Sequence, residues 1–381
     1  MMARLGDVAT YVNGFAFKPS DWSNEGLPII RIQDLTGNSY QANRYNGEYH
    51  PKYEVNDGDV LISWSASLGV YIWRGEKAVL NQHIFKVVFD KAEVDKSFFV
   101  QQVQNVIENA ASEAHGATMK HLTKPVFDSL PFYFPNIEEQ REIAAVLDNV
   151  SDLISLHKQQ FTKLDDLVKA RFVELFGDPV INPKGWDMPL IEEVVANEKN
   201  ALKAGPFGSA LKKEYYVSSG YKIYGQEQVI SGDHTFGDYY IDEERYKSLE
   251  NCAVQAGDVL ISLVGTYGKL LVMPEEFEPG IINPRLMKIT FDKKRVNPYY
   301  FQHYFQSDSL KKALAENTHG GTMDILNLGI VRKLAMPLPP LELQNEFITF
   351  VEQTDKSKLA IQQSLDKLET LKKSLMQKYF G

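Results

Sequence analysis

Several short stretches bring together lysine, arginine, asparagine, glutamine or serine, most of them with an aromatic ring, a glycine or a proline beside these groups. In the first half these are Phe17-Lys18-Pro19-Ser20, Arg31-Ile32-Gln33, Ser63-Trp64-Ser65 and Asn81-Gln82-His83. In the second half they are Lys203-Ala204-Gly205-Pro206-Phe207-Gly208-Ser209, Tyr224-Gly225-Gln226-Glu227-Gln228, Gly265-Thr266-Tyr267-Gly268-Lys269 and Asn283-Pro284-Arg285. Glycine lets a backbone approach a ligand closely, cations neutralise phosphates, and amides or guanidinium groups hydrogen-bond base edges. The candidate contact residues for nucleic acid are therefore Lys18, Ser20, Arg31, Gln33, Ser63, Ser65, Asn81, Gln82 and His83, and then Lys203, Phe207, Ser209, Tyr224, Gln226, Gln228, Thr266, Tyr267, Lys269, Asn283 and Arg285. Taken one at a time, each stretch also reads as an ordinary turn.

Catalytic signatures are absent from the sequence. No glycine-rich loop ends in Gly-Lys-Ser/Thr, and neither Gly-x-Ser-x-Gly nor His-Glu-x-x-His occurs. Asn297-Pro298-Tyr299-Tyr300 has only a distant likeness to the Asn-Pro-Pro-Tyr loop of amino-methyltransferases, and it reads better as the start of a helix. The single cysteine, Cys252, excludes an internal disulfide and a cysteine-rich zinc site, and the 8 histidines show no paired-ligand spacing. No metal and no catalytic residue is expected in this chain. With no signal-like start and no long apolar run, a cytoplasmic protein with no membrane partner is expected. The net charge of -9 opposes phosphate binding by the body as a whole. Clusters such as Lys212-Lys213, Lys293-Lys294-Arg295 and Lys311-Lys312 leave room for a local basic face.

What must position these loops is visible as a repeat. Setting His115-Gly116-Ala117-Thr118-Met119 against His319-Gly320-Gly321-Thr322-Met323 fixes an offset of about 204 residues, which holds without a gap to Phe176-Gly177 against Phe380-Gly381. Upstream, Gly58-Asp59-Val60-Leu61-Ile62-Ser63 returns as Gly257-Asp258-Val259-Leu260-Ile261-Ser262, with drifting offsets that confine insertions to the globular regions. In the first region strands are expected near Gly26–Ile32, Val60–Trp64, Val70–Trp73 and His83–Phe89, closed by a helix near Ser97–Ala114.

Each copy ends in one long helix. Ile143, Leu147, Val150, Ile154, His157, Phe161, Leu164, Val168, Arg171 and Leu175 step by four and three, the spacing of a coiled-coil seam. The second copy supplies Val351, Ile361, Leu365, Leu368, Leu375 and Tyr379, with Thr354, Lys358 and Lys372 as weaker positions. A rod from Glu138 to Phe176 is roughly 58 Å long at 1.5 Å per residue, too long for one compact domain to bury. The two helices are expected to pair antiparallel and close the chain into a near-circular object with a pseudo-twofold axis. The fold class is α+β: two tandem, mainly-β recognition domains, each followed by a long helix. The domains run 1–135 and 186–339, the helices 136–177 and 340–381, and the linker 178–185.

Gly-Asp-Val-Leu-Ile-Ser in both halves, the Gly-x-Thr-Met runs, Pro135-Asn136-Ile137-Glu138-Glu139-Gln140 with Pro339-Pro340-Leu341-Glu342-Leu343-Gln344, and Phe-Gly at both helix ends carry a resemblance, together with Asn182-Pro183-Lys184-Gly185-Trp186. The chain resembles the specificity subunit of type I restriction-modification systems over essentially its whole length. The resemblance implies two target-recognition domains, each contacting one half of a split sequence in double-stranded DNA, with the helices docking two modification (methyltransferase) subunits. Those partners would carry S-adenosylmethionine, and restriction/translocase subunits would use ATP with Mg, leaving no cofactor in this chain. Two other readings stay open: the recognition chain of a simpler two-component modification system, and a coiled-coil scaffold that binds no DNA.

Overall fold

The computed structural model describes residues 1–37, 43–65, 67–113, 124–263, 269–316 and 326–381. The chain divides into two compact units: Met1–Gln159 with Gln362–Gly381, and Gln160–Ile361. The runs at His115–Met119 and His319–Met323, which fix the repeat offset, lie outside the described residues.

The strands of the first unit are β1 (Met2–Arg4), β2 (Thr10–Asn13), β3 (Leu27–Ile30), β4 (Arg44–Tyr45), β5 (Glu54–Val55), β6 (Val60–Ser63), β7 (Gly69–Ile72), β8 (Ala78–Leu80), β9 (Ile84–Val88) and β10 (Pro131–Tyr133). Its helices are α1 (Leu5–Val8), α2 (Ile32–Leu35), α3 (Lys96–Glu113), α4 (Lys124–Ser129) and the first part of α5 (Ile137–Phe176). One sheet has the order β2-β9-β6-β7 and is antiparallel, and a second has the order β4-β3-β8-β5, with β3 and β8 parallel. The expected strand at Gly26–Ile32 stops at Ile30, because Asp34 accepts the Arg31 N–H (2.8 Å) and turns the chain into α2. Strand β8 escaped the sequence reading: three apolar residues, all buried, give no alternation.

The second unit repeats this plan with β11 (Leu202–Ala204), β12 (Tyr221–Tyr224), β13 (Tyr240–Ile241), β14 (Val259–Ser262), β15 (Leu270–Val272), β16 (Gly280–Ile282) and β17 (Leu286–Ile289). Its helices are the last part of α5 from Gln160, α6 (Gln226–Ser231), α7 (Glu243–Ser248), α8 (Pro298–Phe305), α9 (Asp308–Glu316), α10 (Leu328–Arg332) and the first half of α11 (Leu341–Phe380), up to Ile361. The sheets β11-β17-β14-β15 and β13-β12-β16 have the connectivity of their counterparts, including a parallel pair, β12 with β16. Asn297 caps α8 by accepting the Tyr299 N–H (2.9 Å), so Asn-Pro-Tyr-Tyr is a helix start.

The repeated Gly-Asp-Val-Leu-Ile-Ser run is explained by what lies on either side of it. Side chains alternate across a strand. Val60 and Ile62 belong to the core that contains Phe98 and Phe99, while Leu61 belongs to a second core with Ile30 and Leu80. Val259, Ile261 and Leu260 divide in the same way between two cores of the second unit. Gly58 and Gly257 both take φ +82°, a conformation that a side chain would strain. The following aspartate seals the turn: Asp59 accepts Asn56 N–H (2.9 Å) and Lys86 Nζ (3.0 Å), and Asp258 accepts Gln255 N–H (2.9 Å), Lys288 Nζ (3.1 Å) and the Thr290 hydroxyl. Asp258 is fully buried, and burial pushes its carboxyl above the usual range while Lys288 pulls it back.

Each long helix is fastened to its domain by a buried glutamine near its start. Gln140 donates to Pro135 O (2.9 Å) and accepts Asp95 N–H (3.0 Å). Gln344 donates to Pro339 O (2.8 Å) and Arg295 O (2.9 Å) and accepts Asn297 N–H (2.8 Å). Asn136 caps α5 by accepting Glu139 N–H (2.9 Å), so Pro135 stands just before the helix. Gly177 ends it at φ +79°, donating to Val173 O (2.8 Å).

Along α5 the stripe residues Ile143, Leu147, Val150 and Val168 are buried, and Ile154, His157, Phe161, Leu164, Arg171 and Leu175 half-buried. Along α11, Thr354 and Leu365 are buried and Val351, Lys358, Ile361, Leu368, Lys372, Leu375 and Tyr379 half-buried. In the first unit His157 meets Ser364 (3.0 Å), and Leu375 and Tyr379 join the core of Ile143 and Leu147. In the second, Asp165 pairs with Lys358 (2.5 Å) and Phe172 meets Phe347 (5.5 Å). Within each unit, rising numbers on one helix meet falling numbers on the other, so the packing is antiparallel. Sequence reading missed Phe172 and Phe176, which pack against Phe347 of α11 and also against Tyr300 in the domain core.

Two outcomes follow. Asp258→Ala leaves Lys288 buried without its carboxylate and should lower the unfolding free energy by about 3–5 kcal/mol in urea titrations. His303, half-buried against Phe347 (5.0 Å) with Asp355 and Lys358 nearby, is pushed down to about 4 by burial. The unfolded chain then binds the extra proton, so this contribution is complete above the ordinary pKa of 6.5 and is lost as pH falls through that window toward 4. His303→Gln should flatten that part of a stability-against-pH curve.

Candidate nucleic-acid interface

The loops at one end of the sheets are assembled by the same backbone hydrogen bonds in both units. Asn81 N–H donates to Ile30 O (3.1 Å), and Asn283 N–H to Tyr224 O (2.8 Å). Trp64 N–H donates to His83 O (3.4 Å), and Leu263 N–H to Arg285 O (2.9 Å). Gly14 and Gly205 bring the neighbouring loop so close that an added Cβ would lie 2.0 Å from Asn81 O and 1.9 Å from Asn283 O. Asp34 accepts Arg31 N–H and Gln228 accepts Gly225 N–H, both at 2.8 Å, holding the turns after β3 and β12. The frame therefore equates Trp64 with Leu263, His83 with Arg285 and Gly14 with Gly205.

In the second unit, Arg285 Nη1 donates to Gln226 Oε1 (3.2 Å) and Gln226 Nε2 donates to Ser262 Oγ (2.8 Å). Asn283 Oδ1 accepts Arg285 N–H (2.9 Å). Arg285, Lys269, Ser209 and Phe207 are exposed, and Lys203, Gln226 and Asn283 half-buried. In the first unit the frame carries other groups. Trp64 packs on His83 (ring centroids 5.5 Å) and donates Nε1–H to Asn13 Oδ1 (3.2 Å), while Gln82 Nε2 lies 3.2 Å from His83 Nε2. Asn81 Oδ1 accepts Gln82 N–H (2.6 Å). Arg31 is half-buried with its guanidinium over the Trp22 ring (5.6 Å), and Lys18, Ser20, Gln33 and His83 are exposed.

Four candidates require correction. Ser63 is buried and donates to Ser67 O (2.6 Å), and Ser65 is buried beside it. Tyr224 is buried in the core with its hydroxyl on Glu278 O (2.6 Å), and burial raises its pKa. Gln228 is buried, donating to Phe236 O (2.6 Å) as well as accepting Gly225 N–H. Ser63, Tyr224 and Gln228 satisfy the fold's own polar groups, and all four side chains are buried. Thr266 and Tyr267 lie outside the described residues. Sequence reasoning overlooked Asn13, Trp22 and Ser262; the repeated Gly-Asp-Val-Leu-Ile-Ser run would have pointed to Ser262. Among the described residues no group of His, Cys, Asp and Glu could hold a metal ion, and no helix is long and apolar enough to cross a membrane. A groove of about 830 Å³ in the second unit is lined from α5, α8, α9 and α11, including Tyr299, His303 and Lys358, and contains no candidate loop residue.

An antiparallel sheet paired with a mixed one, carrying different loop residues on the same frame in the two copies and followed each time by a long helix, defines a duplicated module. The family model for the type I restriction modification DNA specificity domain matches residues 1–165 and again 183–372. The chain belongs to this family of type I restriction-modification specificity subunits. It is 22% identical to the EcoBI specificity subunit of Escherichia coli, over 99% of this chain and 84% of that protein. The MjaVIII specificity subunit of Methanocaldococcus jannaschii is 21% identical, over 98% of this chain and 90% of its own. Among solved structures, the S subunit of M. genitalium superposes with a TM-score of 0.57 at 14% identity, covering 100% of this chain and 96% of that one. A chain from a type I R-M system studied for complex assembly and conformational transition gives 0.60 at 18% identity, covering 100% and 97%.

Tyr224→Phe should cost about 1 kcal/mol of stability, the net worth of one buried hydrogen bond, without changing any exposed loop group. Thermal unfolding of the variant beside wild type measures it.

Proposed function

We propose that the chain selects a bipartite target in double-stranded DNA, one half-site per domain, for modification subunits that dock on its helices. One observation carries this reading: a single backbone frame, built twice, holds Trp64 and His83 in one copy where the other holds Leu263 and Arg285. Equal frames with unequal side chains suit the reading of two different short sequences from one duplex. Arg285 has the donors to engage a guanine edge, and Gln226 and Asn283 those for an adenine edge. Lys18, Lys203 and Lys269 suit phosphate contacts.

The chain itself performs no chemistry in this proposal. S-adenosylmethionine belongs to two modification subunits, and ATP with Mg to restriction/translocase subunits. Apolar residues left exposed on α5 support docking there: Val146, Leu153, Leu156 and Leu167 are each at least 40% exposed beside the seam.

The deciding experiment is to sequence the methylation pattern of DNA exposed to this chain with its modification subunits. A split motif is expected, and a pattern without a motif would favour the scaffold reading. Arg285→Ala should relax discrimination at one base of one half-site, by about 1–3 kcal/mol, and leave the other half-site unchanged. Leu153→Asp with Leu156→Asp should weaken capture of the modification subunits in co-purification without altering the chain's far-ultraviolet circular dichroism.

A further inference from the structure

We propose that Phe207 is an apolar wedge that stacks against a base and opens one base-pair step in the half-site read by the second domain; this rests on the DNA-reading function above. Phe207 is 90% exposed, the most exposed large hydrophobic side chain among the described residues. Burial of such a ring against solvent-excluded surface is favourable, and no described residue of its own unit covers it.

The backbone on either side of the ring is fixed. Gly205 donates to Leu286 O (2.9 Å) and lies against the Asn283 carbonyl, Pro206 is buried, and Phe207 begins a tight turn whose Ala210 N–H returns to Phe207 O (2.8 Å). Glycines at 205 and 208 remove side chains from the ring's flanks. With the backbone fixed, an aromatic side chain has only two χ angles to order on insertion. The same Asn283 that pins Gly205 begins the loop of Arg285, so the turn that carries Phe207 starts two residues from the junction with the loop that carries the cation.

The first domain lacks this device. There Gly14 is followed by Phe15, which packs edge-on against Phe17 (5.0 Å) and contacts Tyr53 (5.6 Å). An aromatic held by its neighbours supports the loop, whereas the Phe207 ring, 90% exposed, is available to a base. Insertion of apolar side chains between base pairs unstacks them and bends the duplex, and stacking tolerates any base. The wedge thus supplies affinity through deformation rather than base identity.

The test uses the complex of this chain with its modification subunits and a duplex carrying the motif found by methylation sequencing. Phe207→Ala should bind that duplex roughly five- to a hundredfold more weakly, the range for loss of one base–aromatic stack. Phe207→Trp should restore most of it, the methylated motif should stay the same, and the slope of log affinity against log salt should not change. Placing a mismatch at successive steps of the second domain's half-site should recover binding by Phe207→Ala at one step, where unstacking is already prepaid. Replacing thymine by uracil throughout that half-site should leave the Phe207→Ala deficit intact. Phe207→Ala binding within twofold of wild type, or a deficit abolished by uracil, which would mean a thymine-methyl contact, overturns the wedge while the DNA-reading function stands. A wild-type complex that does not prefer its own motif over random duplex overturns that function, and the wedge with it.

Discussion

Burial of β6 and β14 on both faces is the constraint from which the rest of each domain follows. A strand with cores on both sides has no solvent face at which to release a polar group, so its approach turn must be sealed completely. The left-handed glycines at 58 and 257 make the turn tight enough, and the aspartates after them take up the loose donors. In the second copy this puts a carboxylate out of water altogether. That burial is tolerable only because Lys288, Thr290 and the Gln255 N–H surround it. In the first copy Asp59 keeps part of its hydration and its lysine is correspondingly less buried. The two halves thus solve one problem with the same residues at different depths.

The fixed strand dictates where variation is allowed. Its exit leads directly into the loops at Trp64 and Leu263, which are tied to the approaches of β9 and β17 through His83 O and Arg285 O. Those ties use backbone groups only, so the side chains at these positions can change without disturbing the frame. A net charge of -9 is compatible with such a face because phosphate contact depends on the local field near the loops, and Debye screening at physiological salt is about 8 Å. Acidic residues on the helices are in part already neutralised, as Glu369 is by Lys158 (3.0 Å) and Glu346 by Arg171 (2.9 Å).

The repeat, the buried strand and the helical stripe were legible in the sequence because each is periodic: a duplication, a short apolar run after Gly-Asp, and steps of four and three. The loop residues were legible only as a class. Tyr224, Gln226 and Gln228 all carry hydrogen-bonding groups in one short run around Gly225, yet two face inward to satisfy Glu278 O and Gly225 N–H and one faces its neighbours at the rim. A residue type chosen for hydrogen bonding serves a buried backbone and a ligand equally well, so only the tertiary fold distinguishes them. Phe172 and Phe176 were missed for the opposite reason. They pack on Phe347 of α11 and on Tyr300 of the domain core together, and no local pattern marks where a helix gains a second packing partner.

The seam itself is less apolar than a simple coiled coil, and its polar positions restrict how the helices can slide. In the first unit His157 sits opposite Ser364 and Lys158 opposite Glu369. A slip of one heptad along α11 would face Lys158 with Gln362 or Met376, neither of which carries a charge. In the second unit, Lys358 lies between Asp165 and Asp355 with its ammonium near the Phe161 ring (6.0 Å). Purely aliphatic seams tolerate neighbouring registers at similar energy, whereas a half-buried polar or charged group is satisfied in one register and costs free energy in the others. His157 Nδ1, buried without a hydrogen-bond partner among the described residues, shows that this specificity is obtained at some expense of stability. A protein whose loops must meet a fixed ligand gains from that exchange, because a helix pair that slides by a turn would displace every loop it carries.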